Sequence, residues 1–77
     1  MRDLRYASVA VAGVYRVQRG KAALVTEAIQ GLRANPRPPN AEPVPERSNT
    51  YKIEVEDYSV VYEVLDDQNL VVVLRVE

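Results

Sequence analysis

The stretch TYKIEVEDYSVVYEV, residues 50–64, alternates apolar and polar residues on either side of the acidic pair Glu56-Asp57. Successive side chains of a β-strand point to opposite faces of a sheet. The pattern therefore predicts two strands that are joined by a tight turn at the acidic pair. In the first strand one face carries Tyr51, Ile53 and Val55, and in the second strand one face carries Tyr58, Val60, Tyr62 and Val64.

A third strand is predicted directly after this hairpin. The polar stretch DDQN, residues 66–69, has the composition of a hairpin loop, and the run LVVVLRV, residues 70–76, is almost entirely apolar. A continuous apolar run of this length is typical of an interior strand that is covered on both faces. The residues from 50 onward thus predict three antiparallel strands in meander order.

Residues 21–34, KAALVTEAIQGLRA, carry a helical period. Their apolar side chains recur at spacings of three and four residues, so they form one stripe along a helix. We expect the helix to end at about Asn35, because Pro36 disfavours the α conformation of the residue before it. The stripe consists of Leu24, Val25, Ala28, Ile29 and Leu32.

The segment NPRPPNAEPVPERSN, residues 35–49, holds all five prolines of the chain and has no apolar period. Proline-rich segments favour extended, polyproline-like backbone. A connection of this length is uncommon in a compact domain unless it has a specific place on the surface. We therefore expect it to wrap across the domain with Val44 in the core.

Two interpretations are open for the first 20 residues. A strand would place on one face Val9, Val11, Tyr15 and Val17. A helix would place on one stripe Leu4, Ala7, Val11, Val14 and Tyr15. The β-branched residues and Gly13 favour a strand that ends near Val17. The predicted fold class is α+β: a small antiparallel sheet, made of the meander and an N-terminal strand at one edge, with a helix packed on one face.

Composition excludes several kinds of chemistry. The chain contains neither cysteine nor histidine, so it has no disulfide, no thiol nucleophile and no imidazole to serve as general base or metal ligand. No apolar run approaches the ~20 residues of a transmembrane helix. The sequence therefore favours a cytoplasmic protein without a membrane partner.

The net charge of −1 conceals an asymmetry between two parts of the chain. Residues 1–47 contain eight basic and four acidic side chains, whereas residues 48–77 contain two basic and seven acidic ones. A basic part can form a nucleic-acid interface, or the two parts can simply attract each other. The absence of a tight Lys/Arg cluster favours the second interpretation.

The stretches NPRPPNAEPV, residues 35–44, and TYKIEVEDYSVVYEVLDDQNLVVVLRV, residues 50–76, together resemble the RelE/ParE superfamily, the toxin components of bacterial type II toxin–antitoxin systems. The resemblance begins at about Lys21, and VYRVQ, residues 14–18, is similar to the first strand of the family. It implies a single RelE/ParE-like domain over residues 1–77 that needs no cofactor and no metal. The family usually has two helices before the proline segment, whereas this chain has room for only one of full length.

The resemblance implies two kinds of toxic activity. Members of the RelE branch cleave mRNA in the ribosomal A site with Lys, Arg and sometimes Tyr side chains, whereas ParE-like members inhibit DNA gyrase without nuclease residues. Lys52 matches a basic residue of the nuclease motif. Glu54 and Ser59, however, stand where two further basic residues are usual. The last strand of the family runs into a basic and aromatic tail, and this chain stops at Glu77. We therefore expect a depleted nuclease site.

Three functional hypotheses follow from the resemblance. The first is a toxin that acts mainly by binding a cellular target and an antitoxin peptide or protein, which would lie along the sheet and the proline-lined groove. The second is an active, metal-independent, ribosome-dependent mRNA endoribonuclease. The third is an inactive, shortened relative. The ribosome with its mRNA and DNA gyrase are the alternative targets, and a homodimer or strand addition by the antitoxin is left open.

Specific residues follow from these hypotheses. The candidate catalytic residues are Lys52 and Arg75. The candidate contacts to nucleic acid or a partner are Arg33, Arg37, Arg47 and Lys52. Each also has a structural interpretation. Lys52 would be a solvated strand residue that pairs with Glu63 or with the neighbours of Glu54, and Arg75 would be a solvated charge near a strand end. Tyr58 and Tyr62 would pack in the core with their hydroxyl groups at its rim.

Overall fold

One mixed sheet organises the computed structural model, which describes residues 1–77. The elements in chain order are β1 (Asp3–Tyr6), α1 (Ser8–Tyr15), α2 (Arg19–Gly31), β2 (Glu42–Pro43), β3 (Thr50–Val55), β4 (Tyr58–Leu65) and β5 (Leu70–Val76). The strand order is β1-β5-β4-β3-β2, and every neighbouring pair is antiparallel except β1 with β5, which is parallel. The α+β class is confirmed, with the difference that the parallel N-terminal strand makes the sheet mixed.

The predicted meander of β3, β4 and β5 is confirmed. Val55 lies opposite Tyr58 in the β3–β4 register, so Glu56 and Asp57 form a two-residue turn. Glu56 adopts the left-handed conformation there, with a φ of 56°. A short 3-10 turn, Asp66–Gln68, joins β4 to β5. Because β5 lies between β4 and β1, it is the interior strand that its apolar run predicts.

The side of the sheet that faces the helices forms the core. Helix α1 packs on β5 and β1, and helix α2 packs on β3. The buried hydrophobic residues are Ala10, Val17, Val25, Ile29, Leu32, Ile53, Val60, Tyr62, Val64, Leu70, Val71, Val73 and Val76. We call the opposite side of the sheet the outward face. Its side chains, among them Lys52, Glu54 and Val61, are half-buried or exposed.

The prediction of a strand that ends near Val17 is wrong. Residues Ser8–Tyr15 form a helix, and the N-terminal strand lies earlier, at Asp3–Tyr6. The segment VYRVQ, residues 14–18, is therefore not the first strand. The alternative helical stripe is also wrong in part, because Val11 lies on the exposed side of α1.

Small side chains explain why this segment is helical. Ala10, Gly13, Val14 and Val17 follow the spacing i, i+3, i+4, i+7, which places them on one face of a helix. Ala10, Gly13 and Val17 are buried, and Val14 packs against the core. Because most side chains on this face of the helix are short, the helix axis lies close to the sheet.

Gly13 allows α1 to lie directly on β5. A Cβ atom at this position would stand 2.1 Å from the carbonyl oxygen of Val76 and 3.1 Å from the Val76 Cβ atom. These distances are shorter than van der Waals contact, so a side chain fits only if the helix or the strand moves. The other two glycines, Gly20 and Gly31, have nothing within 4 Å of such an atom.

Helix α2 is confirmed, with different ends. It runs from Arg19 to Gly31. The chain then continues in tighter turns, in which the N–H of Leu32 donates to the carbonyl oxygen of Ile29. Leu24 is 47% exposed, so this member of the predicted stripe does not join the core. Neither helix is long and apolar enough to cross a bilayer.

The proline segment wraps over the domain as predicted, but its buried anchor is Pro36 rather than Val44. The carbonyl oxygen of Pro36 accepts a hydrogen bond of 2.7 Å from the Tyr62 hydroxyl group. Val44 is only half-buried. Further along, Glu42 of β2 lies opposite Lys52 of β3, so the segment contributes a short edge strand to the sheet.

Replacement of Gly13 by alanine tests the packing of α1 on β5. We expect Gly13→Ala to lower the free energy of unfolding by about 1–3 kcal/mol, because the added methyl group forces the helix away from Val76. Gly20→Ala is the matched control, since it adds the same methyl group in open space and gains up to about 1 kcal/mol of helix propensity. Urea unfolding followed by circular dichroism measures both variants. Equal stability of Gly13→Ala and the wild type would contradict the close approach.

Candidate functional site

The two candidate catalytic residues share the outward face but lie on different strands. Lys52 of β3 is opposite Val61 of β4, and Val61 is opposite Arg75 of β5. The three residues therefore form one row across the sheet. Neighbouring strands are about 4.8 Å apart, so the backbones of Lys52 and Arg75 are separated by roughly 10 Å.

A second row on the outward face brings carboxylates beside these cations. Glu54 is opposite Ser59, and the backbones of Ser59 and Glu77 exchange hydrogen bonds of 2.7 and 3.0 Å. The Ser59 hydroxyl group donates to the Glu54 carboxylate at 2.8 Å. The Lys52 ammonium lies 3.6 Å from a Glu54 oxygen, and the Arg75 guanidinium lies 3.9 Å from a Glu77 oxygen. Each cation of the first row thus has a carboxylate as its nearest charge.

The charge of these two rows is negative. With Glu42, which lies opposite Lys52, they contain the three carboxylates Glu42, Glu54 and Glu77 against two cations. Exposed ion pairs of this kind contribute little to stability. Their effect on binding is greater, because a phosphate that approaches Lys52 or Arg75 also approaches a carboxylate. The predicted pairing of Lys52 with Glu63 or the neighbours of Glu54 is wrong, since its partner is Glu54 itself on the same strand.

Three further arginines, Arg2, Arg33 and Arg37, meet at a different place, near Asp66. We call these four residues, together with Tyr51, the Asp66 corner. The Asp66 carboxylate accepts from Arg2 through one oxygen and from Arg37 through the other, both at 2.8 Å. The Arg37 guanidinium also donates to the Tyr51 hydroxyl group at 2.9 Å. These hydrogen bonds, first from Arg37 and then from Arg2, hold the pKa of Asp66 below its ordinary value.

Arg33 joins the Asp66 corner through the backbone. Its guanidinium donates to the carbonyl oxygen of Arg2 at 2.9 Å, and the N–H of Arg2 donates to the carbonyl oxygen of Arg33 at 3.0 Å. The corner therefore ties the N-terminus to the end of α2 and to the loop after β4. Arg47, by contrast, is exposed, and only its backbone N–H forms a hydrogen bond, to Val44.

The candidate contact residues thus fall into three places. Arg33 and Arg37 lie together at the Asp66 corner, Lys52 lies on the outward face, and Arg47 lies apart in the loop before β3. The sequence interpretation missed Asp66, which the structure makes the central residue of the corner. The alternation of β4 and the acidic DDQN loop predict its position at a strand end, but nothing in them indicates two arginine partners.

Tyr58 and Tyr62 have structural roles in the fold, as their structural interpretation from the sequence predicts. Tyr62 is completely buried, its ring stacks on Tyr51 with centroids 5.9 Å apart, and burial raises the pKa of its hydroxyl group to about 12. A phenol in this environment stays protonated at neutral pH. The Tyr58 hydroxyl group accepts from the backbone N–H of Gln18 at 3.0 Å, which fixes the start of α2.

Sequence comparison identifies the family. Residues 3–77 match the family described as ParE toxin of type II toxin-antitoxin system, parDE. The chain belongs to this family. The expectation of a RelE/ParE-type toxin is thereby confirmed, and the match covers the first helix and strand, which the sequence motifs did not resolve. No curated protein sequence matches this ParE-family chain.

Solved structures share its fold. A chain of the intact RelBE toxin–antitoxin complex of E. coli superposes with a TM-score of 0.85 at 20% identity, covering 99% of this chain and 94% of that one. A chain of the RelBE2 complex of Mycobacterium tuberculosis superposes with a TM-score of 0.83 at 23% identity, covering 99% of this chain and 95% of that one. A chain of the archaeal RelE–RelB complex of Pyrococcus horikoshii superposes with a TM-score of 0.81 at 14% identity, covering 99% of this chain and 92% of that one. Two helices on one side of the sheet are thus common to toxins whose sequences have diverged widely.

The Asp66 corner predicts an acid-sensitive contribution to stability. The folded pKa of Asp66 is lower than the unfolded one, so its charge stabilises the fold above the unfolded value, about 4, and this contribution is lost as pH falls through the folded pKa. We expect Asp66→Asn to melt at a lower temperature than the wild type at neutral pH. The difference should shrink below about pH 4, in melts followed by circular dichroism.

Asp67→Asn is the matched control, because Asp67 is an exposed neighbour that forms no ion pair. Its melting temperature should follow that of the wild type throughout the pH range. A difference between Asp66→Asn and the wild type that stays constant on acidification would show that the two arginines do not stabilise the Asp66 charge.

Proposed function

We propose that this ParE-family chain is a toxin that acts by binding a protein target, with DNA gyrase as the target, and not by cleaving mRNA. The observation that carries the proposal is the charge of the outward face. At the positions where the nuclease members are expected to hold basic residues, Glu54 and Ser59 are hydrogen-bonded to each other. In these two rows each cation lies beside a carboxylate, so neither Lys52 nor Arg75 is fully available to an RNA phosphate.

The chemistry of mRNA cleavage explains why this observation supports binding rather than cleavage. Attack of a ribose 2′-hydroxyl group on the adjacent phosphate needs a group that accepts a proton, a group that donates one and cations that stabilise the negative transition state. Lys52 and Arg75 are the only cations in the two rows, and a strand separates them. The carboxylates of Glu54 and Glu77 beside them would destabilise a transition state that gains negative charge.

The family match supports the alternative to mRNA cleavage, which is inhibition of DNA gyrase. The chain matches the ParE description, and inhibition of gyrase is an activity that requires no nuclease residues. Gyrase works in the bacterial cytoplasm, so this is where the toxin acts. The solved relatives are toxin–antitoxin complexes, and we infer that an antitoxin likewise neutralises this chain. Val9, Val11 and Tyr15 of α1 are exposed, and exposed apolar side chains are typical of binding surfaces.

Purified gyrase provides the test. We expect the protein to reduce the supercoiling of a relaxed plasmid in proportion to its concentration. We also expect its expression in bacteria to stop growth. An antitoxin encoded by a short neighbouring gene, which the proposal predicts, should restore growth when co-expressed. The double variant Lys52→Ala with Arg75→Ala tests the nuclease alternative, because a nuclease would lose its candidate catalytic side chains and no longer stop growth, whereas gyrase inhibition requires no nuclease residues.

Two results would contradict the proposal. If supercoiling is unaffected at concentrations that stop growth, gyrase is not the target. If growth continues normally while the folded protein accumulates, the chain is an inactive relative, as the third sequence hypothesis holds.

A further inference from the structure

Strand β1 lies at the edge of the sheet and has one open side. The N–H groups of Asp3 and Ala7 donate to carbonyl oxygens on the side of β5, both at 2.9 Å. Because backbone groups alternate between the two sides of a strand, the N–H and C=O groups of Leu4 and Tyr6 point away from β5. No turn or loop of the chain forms a hydrogen bond with them. We call these two residues the open edge.

The chain limits the open edge at both ends. The N–H of Arg2 donates to the carbonyl oxygen of Arg33 at 3.0 Å, and the Arg33 guanidinium donates to the carbonyl oxygen of Arg2 at 2.9 Å. At the other end the chain leaves the sheet and enters α1 at Ser8. A strand that pairs here can therefore use only the backbone groups of Leu4 and Tyr6.

The side chains of β1 on the outward face carry opposite charges. Asp3 and Arg5 are both exposed there, two residues apart, and neither forms an ion pair within the chain. Antiparallel pairing reverses the order of residues in the neighbouring strand, so it brings the acid of one strand toward the base of the other. A strand with this pair of charges is therefore complementary to a second copy of itself.

The helix side of the open edge is apolar. A groove of about 290 Å³ beside β1 is lined by Tyr6, Val11, Val14 and Tyr15. Tyr15 is 86% exposed and Val11 is 41% exposed. Because Tyr6 belongs to β1 and the other three residues belong to α1, the groove lies directly beside the open edge. Contiguous exposed apolar side chains are typical of an interface.

We propose that β1 pairs antiparallel with β1 of a second copy of this chain, so that the two sheets join and the two grooves cover each other. An edge with unpaired backbone groups favours the addition of a further strand. The second copy is the occupant that fits, because it supplies a base for Asp3 and an acid for Arg5. This inference goes beyond the proposed function and does not rest on it, since it concerns the chain alone.

The limits of the open edge determine the register of the pair. A two-fold axis at Arg5 places Leu4 opposite Tyr6 of the second copy. The backbone groups of the two open edges then form four hydrogen bonds between the copies. A two-fold axis at Leu4 would instead require the backbone groups of Arg2, which are already bonded to Arg33.

The same register brings the charges together. Asp3 of each copy becomes the diagonal neighbour of Arg5 of the other, at about 7–8 Å, which is within reach of an arginine side chain. The two Arg5 residues face each other across the axis, and one Asp3 flanks them at each end. The outward face of this interface therefore holds two acids and two bases and has no net charge.

Charge variants of β1 test the pairing. Arg5→Asp leaves only acids on the outward face of the strand, and Asp3→Arg leaves only bases. The self-association of each variant should be at least about tenfold weaker than that of the wild type, because like charges then meet. An equimolar mixture of the two variants should dimerise at least as tightly as the wild type, because each acid then lies beside a base. Sedimentation velocity over a range of concentrations measures all four samples.

Substitutions in and outside the groove test its part in the interface. Val11→Glu places a carboxylate in the groove and should weaken the dimer at least about tenfold. Val61→Glu is the matched control, because Val61 lies on β4, two strands from the open edge. Arg47→Asp is the matched control for the charge variants, because Arg47 is an exposed loop residue. Both controls should dimerise within about twofold of the wild type, and melting curves show that each variant is folded.

Amide hydrogen exchange, followed by NMR, reports the backbone pairing directly. In the monomer the N–H group of Arg5 faces β5 and should be protected, whereas the N–H groups of Leu4 and Tyr6 face solvent and should exchange fast. As the protein concentration rises, exchange at Leu4 and Tyr6 should slow in proportion to the fraction of dimer. Exchange at Arg5 should change little.

Four results would overturn the inference. The first is a wild-type chain that stays monomeric up to about 1 mM, which would leave the open edge to a strand of a different protein. The second is a wild-type dimer that Arg5→Asp and Asp3→Arg leave intact, and the third is a mixture of these variants that does not associate. The fourth is a dimer in which Leu4 and Tyr6 still exchange fast. None of these measurements involves gyrase, so such a failure leaves the proposed function standing.

Discussion

The close contact between Gly13 of α1 and the carbonyl group of Val76 of β5 positions the first helix on the sheet. A Cβ atom on Gly13 would stand 2.1 Å from that oxygen, so α1 lies too close to β5 to leave room for a side chain there. The close packing of α1 on β5 buries Ala10 and lets the short strand β1 pair with β5 in parallel. It also decides which residues of α1 face the solvent. Val11 and Tyr15 remain outside because the helix buries only its smallest side chains.

The basic residues of the chain serve different purposes at different places. At the Asp66 corner, Arg2 and Arg37 share one carboxylate and hold the N-terminus, the proline segment and the loop after β4 together. On the outward face, Lys52 and Arg75 each lie beside a glutamate. The other arginines form no ion pair within the chain: Arg5, Arg16, Arg19, Arg33 and Arg47. The charge asymmetry seen in the sequence is therefore in part an attraction between the two parts of the chain, as the contacts of Lys21 and Arg37 with acids of the second part illustrate.

Much of the sheet could be predicted because its pattern is local. The alternation around Glu56-Asp57 specifies both strands of a hairpin, and the apolar run of β5 specifies an interior strand. Helix α1 was missed because its valines favour a strand, whereas the spacing of Ala10 and Gly13, which decides the matter, involves residues with almost no hydrophobic signal. The Asp66 corner was missed for a different reason. Arg37 and Asp66 are 29 residues apart, and only the tertiary fold brings them together.

We infer that the outward face does not perform nuclease chemistry, and cleavage of ribosome-bound mRNA tests this inference most directly. Purified ribosomes that carry a defined mRNA and an empty A site are incubated with the protein, and primer extension then maps every cut in the message. We expect full-length mRNA at protein concentrations that inhibit gyrase. Cuts within the A-site codon that appear with the wild-type chain and disappear with Lys52→Ala would contradict it.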